Sequence, residues 1–171
     1  MDPVEINEML PFLLRRENVA RYEEEGAVVI GDRRKYPFEK SYVRCTDVEG
    51  VARAIEEMVT QGGGPANAAL YAMALAARQC SDKPADRQLE ILEAARRRLV
   101  NTRPTNTALA RRLEKSMQVI QKALAEGANV EQTLLAWIEE MRDQNYQKYA
   151  TAGEYGADLI DDGDGILTMC F

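Results

Sequence analysis

The sequence predicts a mainly helical domain with a small antiparallel β-sheet, which ends in one strand of a second, buried sheet. Capped segments with apolar residues at helical spacing follow one another from Thr46 towards Ala152. Two runs rich in β-branched residues, AVVIGD and KSYVRC, precede them and predict a pair of antiparallel strands. The chain closes with ILTMCF, a continuous apolar run that is typical of a parallel strand buried on both faces.

The opening segment, PVEINEMLPFLLRRENVARYEEEG, carries its leucines and valine at helical spacing. We expect a helix here, with Pro11 near its start or at an interruption, because proline lacks the N–H that a helix interior needs. The strand pair then follows around Val29 and Val43. Two short strands are too slight to stand alone, so they must pack against the helices.

Two helices are expected on either side of the glycine run QGGGP. Thr46 and Glu49 form a capping box for the first, whose stripe we assign to Val48, Val51, Ile55, Met58 and Val59. Pro65 is then placed as the first residue of the second, PANAALYAMALAARQ. Because its alanine side chains allow backbones to approach closely, we expect this helix to be buried.

Three further helices complete the predicted domain. Pro84 opens one that NTRPT ends, and Thr105 caps the next, which Gly127 terminates. Asn129 and Gln132 make a capping box for the last and longest helix. We therefore assign residues 1–160 to the helical domain and residues 161–171 to a linker and a terminal strand.

Composition excludes several classes of protein. The 171 residues carry a formal net charge of −6, which argues against a nucleic-acid surface, and no run reaches the roughly 20 apolar residues of a membrane helix. The acidic start is unlike a signal peptide, and the three cysteines are far apart, so we expect a cytoplasmic protein with reduced thiols. The lack of histidine excludes Ser-His-Asp and Cys-His pairs built from this chain alone, and we expect no metal or cofactor.

Three stretches could carry chemistry, although each also has a purely structural interpretation. QGGGPANAA joins glycines to a helix N-terminus, which suits an anion or simply a tight interhelical turn. In NTRPTN, Arg103 precedes a proline between two helices, where its guanidinium suits a phosphate or merely caps a helix. Cys170 lies at the carboxyl end of ILTMCF, where parallel sheets bind ligands, although a buried cysteine is usually a small apolar side chain.

Taken in order, these stretches resemble one family. AIEEMVTQGGGPANAALYAMALAA, NTRPTN and GEYGADLIDDGDGILTMC are similar to segments of 5-methylthioribose-1-phosphate isomerase, ribose-1,5-bisphosphate isomerase and the regulatory subunits of eukaryotic initiation factor 2B. The resemblance runs from about Val29 to Phe171. It implies that a doubly wound α/β domain follows, of which residues 161–171 supply the first strand. The expected function is therefore the amino-terminal part of an aldose–ketose isomerase of a phosphorylated pentose, inactive as this fragment.

The resemblance also implies site residues. Arg103 corresponds to a ligand of the substrate phosphate, and the loop of Gly62, Gly63, Gly64 and Pro65 to a wall of the sugar-phosphate site. Cys170 corresponds to the catalytic cysteine, which works with an aspartate of the missing domain. We expect a homo-oligomer, or a second chain that carries that domain.

The sequence departs from the family pattern at two places, which keeps a second function open. Gln61 and an extra glycine stand where the family loop usually begins Arg-Gly-Ala-Pro, and Met169 and Phe171 flank the cysteine in place of His and Asn. The alternative is a non-catalytic regulatory or interaction module related to the initiation factor 2B subunits.

Overall fold

Helices pack with a three-stranded antiparallel sheet in residues 7–167, the part of the chain that the computed structural model describes. The strands are β1 (Ala20–Glu23), β2 (Ala27–Gly31) and β3 (Tyr42–Cys45), in the spatial order β1-β2-β3. After the short helix α1 (Arg16–Val19), the helices are α2 (Val48–Glu56), α3 (Gly64–Gln79), α4 (Ala85–Val100), α5 (Thr107–Ala125) and α6 (Val130–Ala157). The predicted fold, mainly helical with a small antiparallel sheet, is confirmed.

The sheet has one strand more than the sequence predicted. The expected strands form β2 and β3, paired with Val29 opposite Arg44. The helix expected over the opening segment is wrong beyond Val19, because Ala20–Glu23 pairs with β2 instead, with Ala20 opposite Ile30. All five residues of β2 are buried, so a strand on each side satisfies backbone groups that water cannot reach.

The alanine-rich helix α3 forms the centre of the core, as predicted. Thirteen of its sixteen residues are buried. It contacts α2, α4, α5, α6 and both β1 and β2. Small side chains make this possible, because they let neighbouring backbones pack closely on every side of one helix.

Several helix boundaries differ from the prediction by one residue. Asp47, and not Thr46, caps α2, since its carboxylate accepts a hydrogen bond from the Gly50 amide at 2.6 Å. Asn106, and not Thr105, caps α5 by accepting from the Leu109 amide at 3.0 Å. Pro65 is the second residue of α3, which begins at Gly64. For α2 and α5 a neighbouring residue offers similar capping chemistry, so the sequence alone does not choose between the two.

The other helix boundaries agree with the prediction. Pro84 immediately precedes α4, and Asn101 ends it. Gly127 has a φ of +66° just beyond α5, and the Asn129 side chain accepts from the Gln132 amide at 3.0 Å to cap α6. Met58 is the exception among the expected stripe residues, because it lies beyond the end of α2 and is exposed.

The predicted terminal strand falls mostly outside the described residues. Ile166 and Leu167 are described; both are exposed and neither is in a strand. Cys170 and the rest of ILTMCF lie outside the described part of the chain. The strand and the boundary at residue 161 therefore stay predictions.

Across residues 7–167, no helix combines the length and the apolar character that crossing a bilayer requires.

Asp32 follows β2 and makes the stability of the fold depend on pH. The residue is 4% exposed, and its carboxylate accepts hydrogen bonds from the Arg34 amide at 3.0 Å, from Nε at 2.9 Å and from Nη2 at 2.8 Å. These bonds from Arg34 hold the pKa of Asp32 below its ordinary value. The stabilisation is therefore present above the unfolded pKa of about 3.9 and is lost as the pH falls through the folded value.

We predict that Asp32→Asn lowers the free energy of unfolding by about 1–3 kcal/mol at neutral pH, the usual scale for bonds to a charged group. Urea titrations of both proteins across the acidic range check this. The difference between wild type and variant should shrink as the pH falls below about 4. A difference that is the same at neutral and acidic pH would contradict the role given to the ionised carboxylate.

Candidate functional site

The glycine loop between α2 and α3 is open on its outer side. Gly62 has a φ of +61°, a left-handed conformation that glycine adopts without strain. Gly62 and Gly63 are exposed, and a Cβ built on either residue would have no atom within 4 Å. A ligand can therefore approach the backbone of this loop closely.

Gly64, in contrast, packs tightly against Thr60 in the segment that follows α2. A Cβ on Gly64 would lie 1.8 Å from Oγ1 of Thr60, which is itself buried. The Gly64 amide donates to the Gln61 carbonyl at 3.0 Å. The loop is thus fixed on its inner side by packing that only glycine permits, and α3 begins from a defined position.

Arg103 lies in the loop between α4 and α5 and reaches the end of α2. Its Nη2 donates to the Ile55 carbonyl at 3.3 Å and also contacts the sulfur of Met58. Its Nε is buried and has no hydrogen-bond partner, and no carboxylate of residues 7–167 forms an ion pair with it. Arg103 therefore caps α2, as its structural interpretation predicted, but through a long bond to a neutral group.

The two loops meet at one cleft of about 470 Å³. Of the predicted site residues, Gly62, Pro65 and Arg103 line it. Gly63 and Gly64 belong to the same loop but do not line the cleft, and Cys170 lies outside the described residues. The structure thus brings the glycine loop and Arg103 together, while their binding of phosphate stays a prediction.

The electrostatics of the cleft favour an anion. The remaining lining residues, none of which is acidic, are Met58, Gln61, Thr105, Asn106, Thr107 and Ala108. They include the first residues of α5, so two helix N-termini, those of α3 and α5, border the cleft beside the Arg103 guanidinium. A helix N-terminus presents partial positive charge and unpaired N–H groups. The sequence analysis missed the contribution of α5, although Asn106 signals a helix start directly after the arginine.

A larger cavity, of about 650 Å³, lies between β1, α3 and α6. At its base the buried Arg142 donates to the Arg16 carbonyl at 2.8 Å and to the Tyr71 hydroxyl, which in turn donates to Glu139. Burial raises the pKa of Tyr71, so this hydroxyl stays protonated near neutral pH. These groups satisfy one another and tie α6 to α1 and α3, so the cavity is bordered by a structural network.

This network was not predicted from the sequence. Arg142 stands four residues after Ile138, at the position where the apolar stripe of α6 should continue. A single arginine at such a position was the available signal for a buried polar cluster.

Comparison with known proteins decides the family. Residues 64–171, more than half of the chain, match the profile of the initiation factor 2 subunit family. The chain belongs to this family. A methylthioribose-1-phosphate isomerase from Pelotomaculum thermopropionicum is 33% identical to the chain over 154 residues, which are 88% of this chain and 42% of that protein.

Two solved structures share the fold. One is 5-methylthioribose 1-phosphate isomerase from Pyrococcus horikoshii, with a TM-score of 0.78, 25% identity and coverage of 95% of this chain and 44% of that one. The other is the delta subunit of translation initiation factor eIF-2B from A. fulgidus, with a TM-score of 0.72, 28% identity and coverage of 86% and 43%. The chain thus spans about two fifths of the length of the relatives that it matches. The resemblance inferred from the sequence is confirmed.

The tight packing at the glycine loop gives a matched pair of substitutions. We predict that Gly64→Ala lowers the free energy of unfolding by about 1–3 kcal/mol, since overpacking against buried Thr60 forces α3 or its neighbours to shift. Gly63→Ala should cost well under that, because Gly63 has a φ of −81° and open space around it. Equal losses in urea denaturation would contradict the assignment of Gly64 as the packed position.

Proposed function

We propose that this chain is the amino-terminal, phosphate-binding part of an aldose–ketose isomerase that acts on a phosphorylated pentose of the methylthioribose 1-phosphate type. One observation carries the proposal: the Arg103 guanidinium and two helix N-termini border a cleft whose lining contains no acidic residue. The relatives named methylthioribose-1-phosphate isomerase supply the substrate class. In this proposal residues 1–160 form the helical domain, and residues 161–171 lead into a doubly wound second domain.

The proposed binding step is an exchange of partners at Arg103. In the structure its Nη2 donates to the neutral carbonyl of Ile55 at 3.3 Å, and its Nε has no hydrogen-bond partner. A phosphate would offer charged oxygens in the geometry that a guanidinium fork matches, and such bonds are about twice as strong as neutral ones. Arg103 is therefore expected to leave Ile55 and Met58 when a phosphate group enters, and the backbone of Gly62, which lines the same cleft, borders the anion site.

The proposed chemistry begins with opening of the sugar ring, after which a hydrogen moves from C2 to C1 and the aldose becomes a ketose. Cys170 would move the protons together with an aspartate of the second domain. The phosphate grip holds the reacting carbons in place but moves no proton itself. The chain alone is accordingly expected to bind the sugar phosphate without converting it.

Cellular location and partners of the whole protein are part of the same proposal. We expect it to be cytoplasmic, to assemble with copies of itself or with a chain that carries the second domain, and to bind neither nucleic acid nor membrane. The net charge of −6 supports the exclusion of nucleic acid, since such surfaces are basic.

A non-catalytic regulatory module is the second candidate. It is favoured by Gln61, which stands where the family loop usually carries arginine, and by the similarity to the delta subunit of eIF-2B. In that case the cleft would bind a sugar phosphate without turnover even beside a second domain.

We predict that Arg103→Ala weakens binding of methylthioribose 1-phosphate to this chain at least about tenfold, the effect of losing one charged hydrogen bond. Isothermal titration calorimetry measures it, with methylthioribose as the ligand that lacks phosphate. Arg111→Ala is the matched control, because Arg111 lies on α5, is exposed and carries the same charge. Binding that is unchanged in Arg103→Ala, or reduced equally in Arg111→Ala, would contradict the proposed site.

A further inference from the structure

Met58 occupies an unusual position beside the candidate site. Among the non-glycine residues that the structure describes, Met58 alone has a positive φ, at +62°. The residue is 41% exposed. The turn that holds it closes α2, since the Met58 amide donates to Ile55 at 3.2 Å and the Val59 amide to Ala54 at 3.0 Å. Residues other than glycine rarely adopt this conformation, so the hydrogen bonds of the turn define the position of the Met58 backbone.

The sulfur of Met58 touches the residue on which phosphate binding is proposed to depend. It contacts Nη2 of Arg103, and both side chains line the same cleft. A thioether sulfur is only a weak hydrogen-bond acceptor. The contact therefore leaves Arg103 free to exchange partners, which the proposed function requires.

We propose that Met58 is an oxidation site that controls anion binding in the cleft; this inference rests on the proposed function. The oxidant is a hydroperoxide such as hydrogen peroxide. The sulfur lone pair attacks one peroxide oxygen, the O–O bond breaks and an S–O bond forms. Sulfur loses two electrons, while the departing hydroxide takes the proton from the transferred oxygen and leaves as water. Methionine sulfoxide is the product, and sulfoxide reductases reverse the step.

Oxidation changes what the cleft offers to Arg103. The sulfoxide oxygen is a strong, polar acceptor at the position where the thioether was a weak one, and it lies beside the guanidinium. Arg103 then gains a close internal partner, which a phosphate must displace. Oxidised protein should therefore bind phosphate esters less tightly, and reduction should restore the affinity.

The other methionines of the described chain provide controls. Met73 and Met117 are buried in the core, where a peroxide cannot reach them easily, and Met141 is half-buried on α6. Met9 is 70% exposed and lies far along the chain from the cleft residues. Met9→Leu removes a sulfur on a more exposed residue that does not line the cleft. Met58→Leu removes the proposed site and keeps a side chain of similar volume.

The experiment treats the chain with limited hydrogen peroxide, followed by a thiol reductant that reverses cysteine disulfides. Peptide mass spectrometry locates the sulfoxide, and calorimetry gives the affinity for methylthioribose 1-phosphate before and after treatment. We expect oxidation of Met58 to weaken binding about tenfold in wild type and in Met9→Leu, the effect of one competing charged hydrogen bond. In Met58→Leu the affinities before and after peroxide treatment should be nearly equal. Sulfoxide reductase should return the affinity of the oxidised wild type to its value before treatment.

A second readout does not depend on the ligand. The ¹⁵N NMR signal of the Arg103 Nε–H group, assigned by its loss in Arg103→Lys, should shift on oxidation in the wild type and stay in place in Met58→Leu. The inference is overturned if this signal does not move, or if Met58→Leu loses affinity on treatment as the wild type does. If the untreated chain does not bind methylthioribose 1-phosphate, the proposed function is contradicted, and so is the control of that binding by Met58. In that case the Arg103 NMR signal still decides whether the sulfoxide oxygen contacts the guanidinium.

Discussion

The burial of α3 is the constraint on which the rest of the structure depends. Helices α2, α4, α5 and α6 and two strands pack directly on its alanine-rich surface, so their positions follow from its own. A helix this crowded can reach solvent only at its ends. At the amino-terminal end Gly64 packs on Thr60, so α3 starts at a defined point beside Gly62, which lines the cleft. An anion that binds there would meet a loop whose backbone position the core packing already sets.

The helical part of the fold could be predicted because each helix is signalled by its own residues. The glycine run, Pro84 and the capping residue Asn129 act locally, and so does the small-residue composition of α3. Strand β1 could not be predicted in the same way, since Ala20–Glu23 is extended only because buried β2 needs a partner on that side. Pairing between distant residues outweighed a local helical pattern.

The candidate site was predictable in part because two of its segments carry recognisable local motifs. Order along the chain placed the glycine loop and Arg103 in one family pattern, and the packing brings Gly62, Pro65 and Arg103 to one cleft. The contact between Arg103 and Met58 could not be foreseen, because the stripe of α2 appeared to include Met58 and the left-handed turn that releases it is set by backbone hydrogen bonds. Likewise, the buried Arg142 network joins residues more than seventy positions apart, beyond the reach of local pattern.

We propose that this chain supplies the phosphate-binding half of an isomerase site. The most direct test joins it to the part of the Pelotomaculum thermopropionicum relative that lies beyond the matched segment, and measures isomerisation of methylthioribose 1-phosphate by the chain alone and by the fusion. We expect no turnover by the chain alone, turnover by the fusion, and loss of that turnover in the fusion that carries Arg103→Ala. Turnover by the chain alone, or a fusion that is equally active with Arg103→Ala, would contradict the proposed phosphate-binding role.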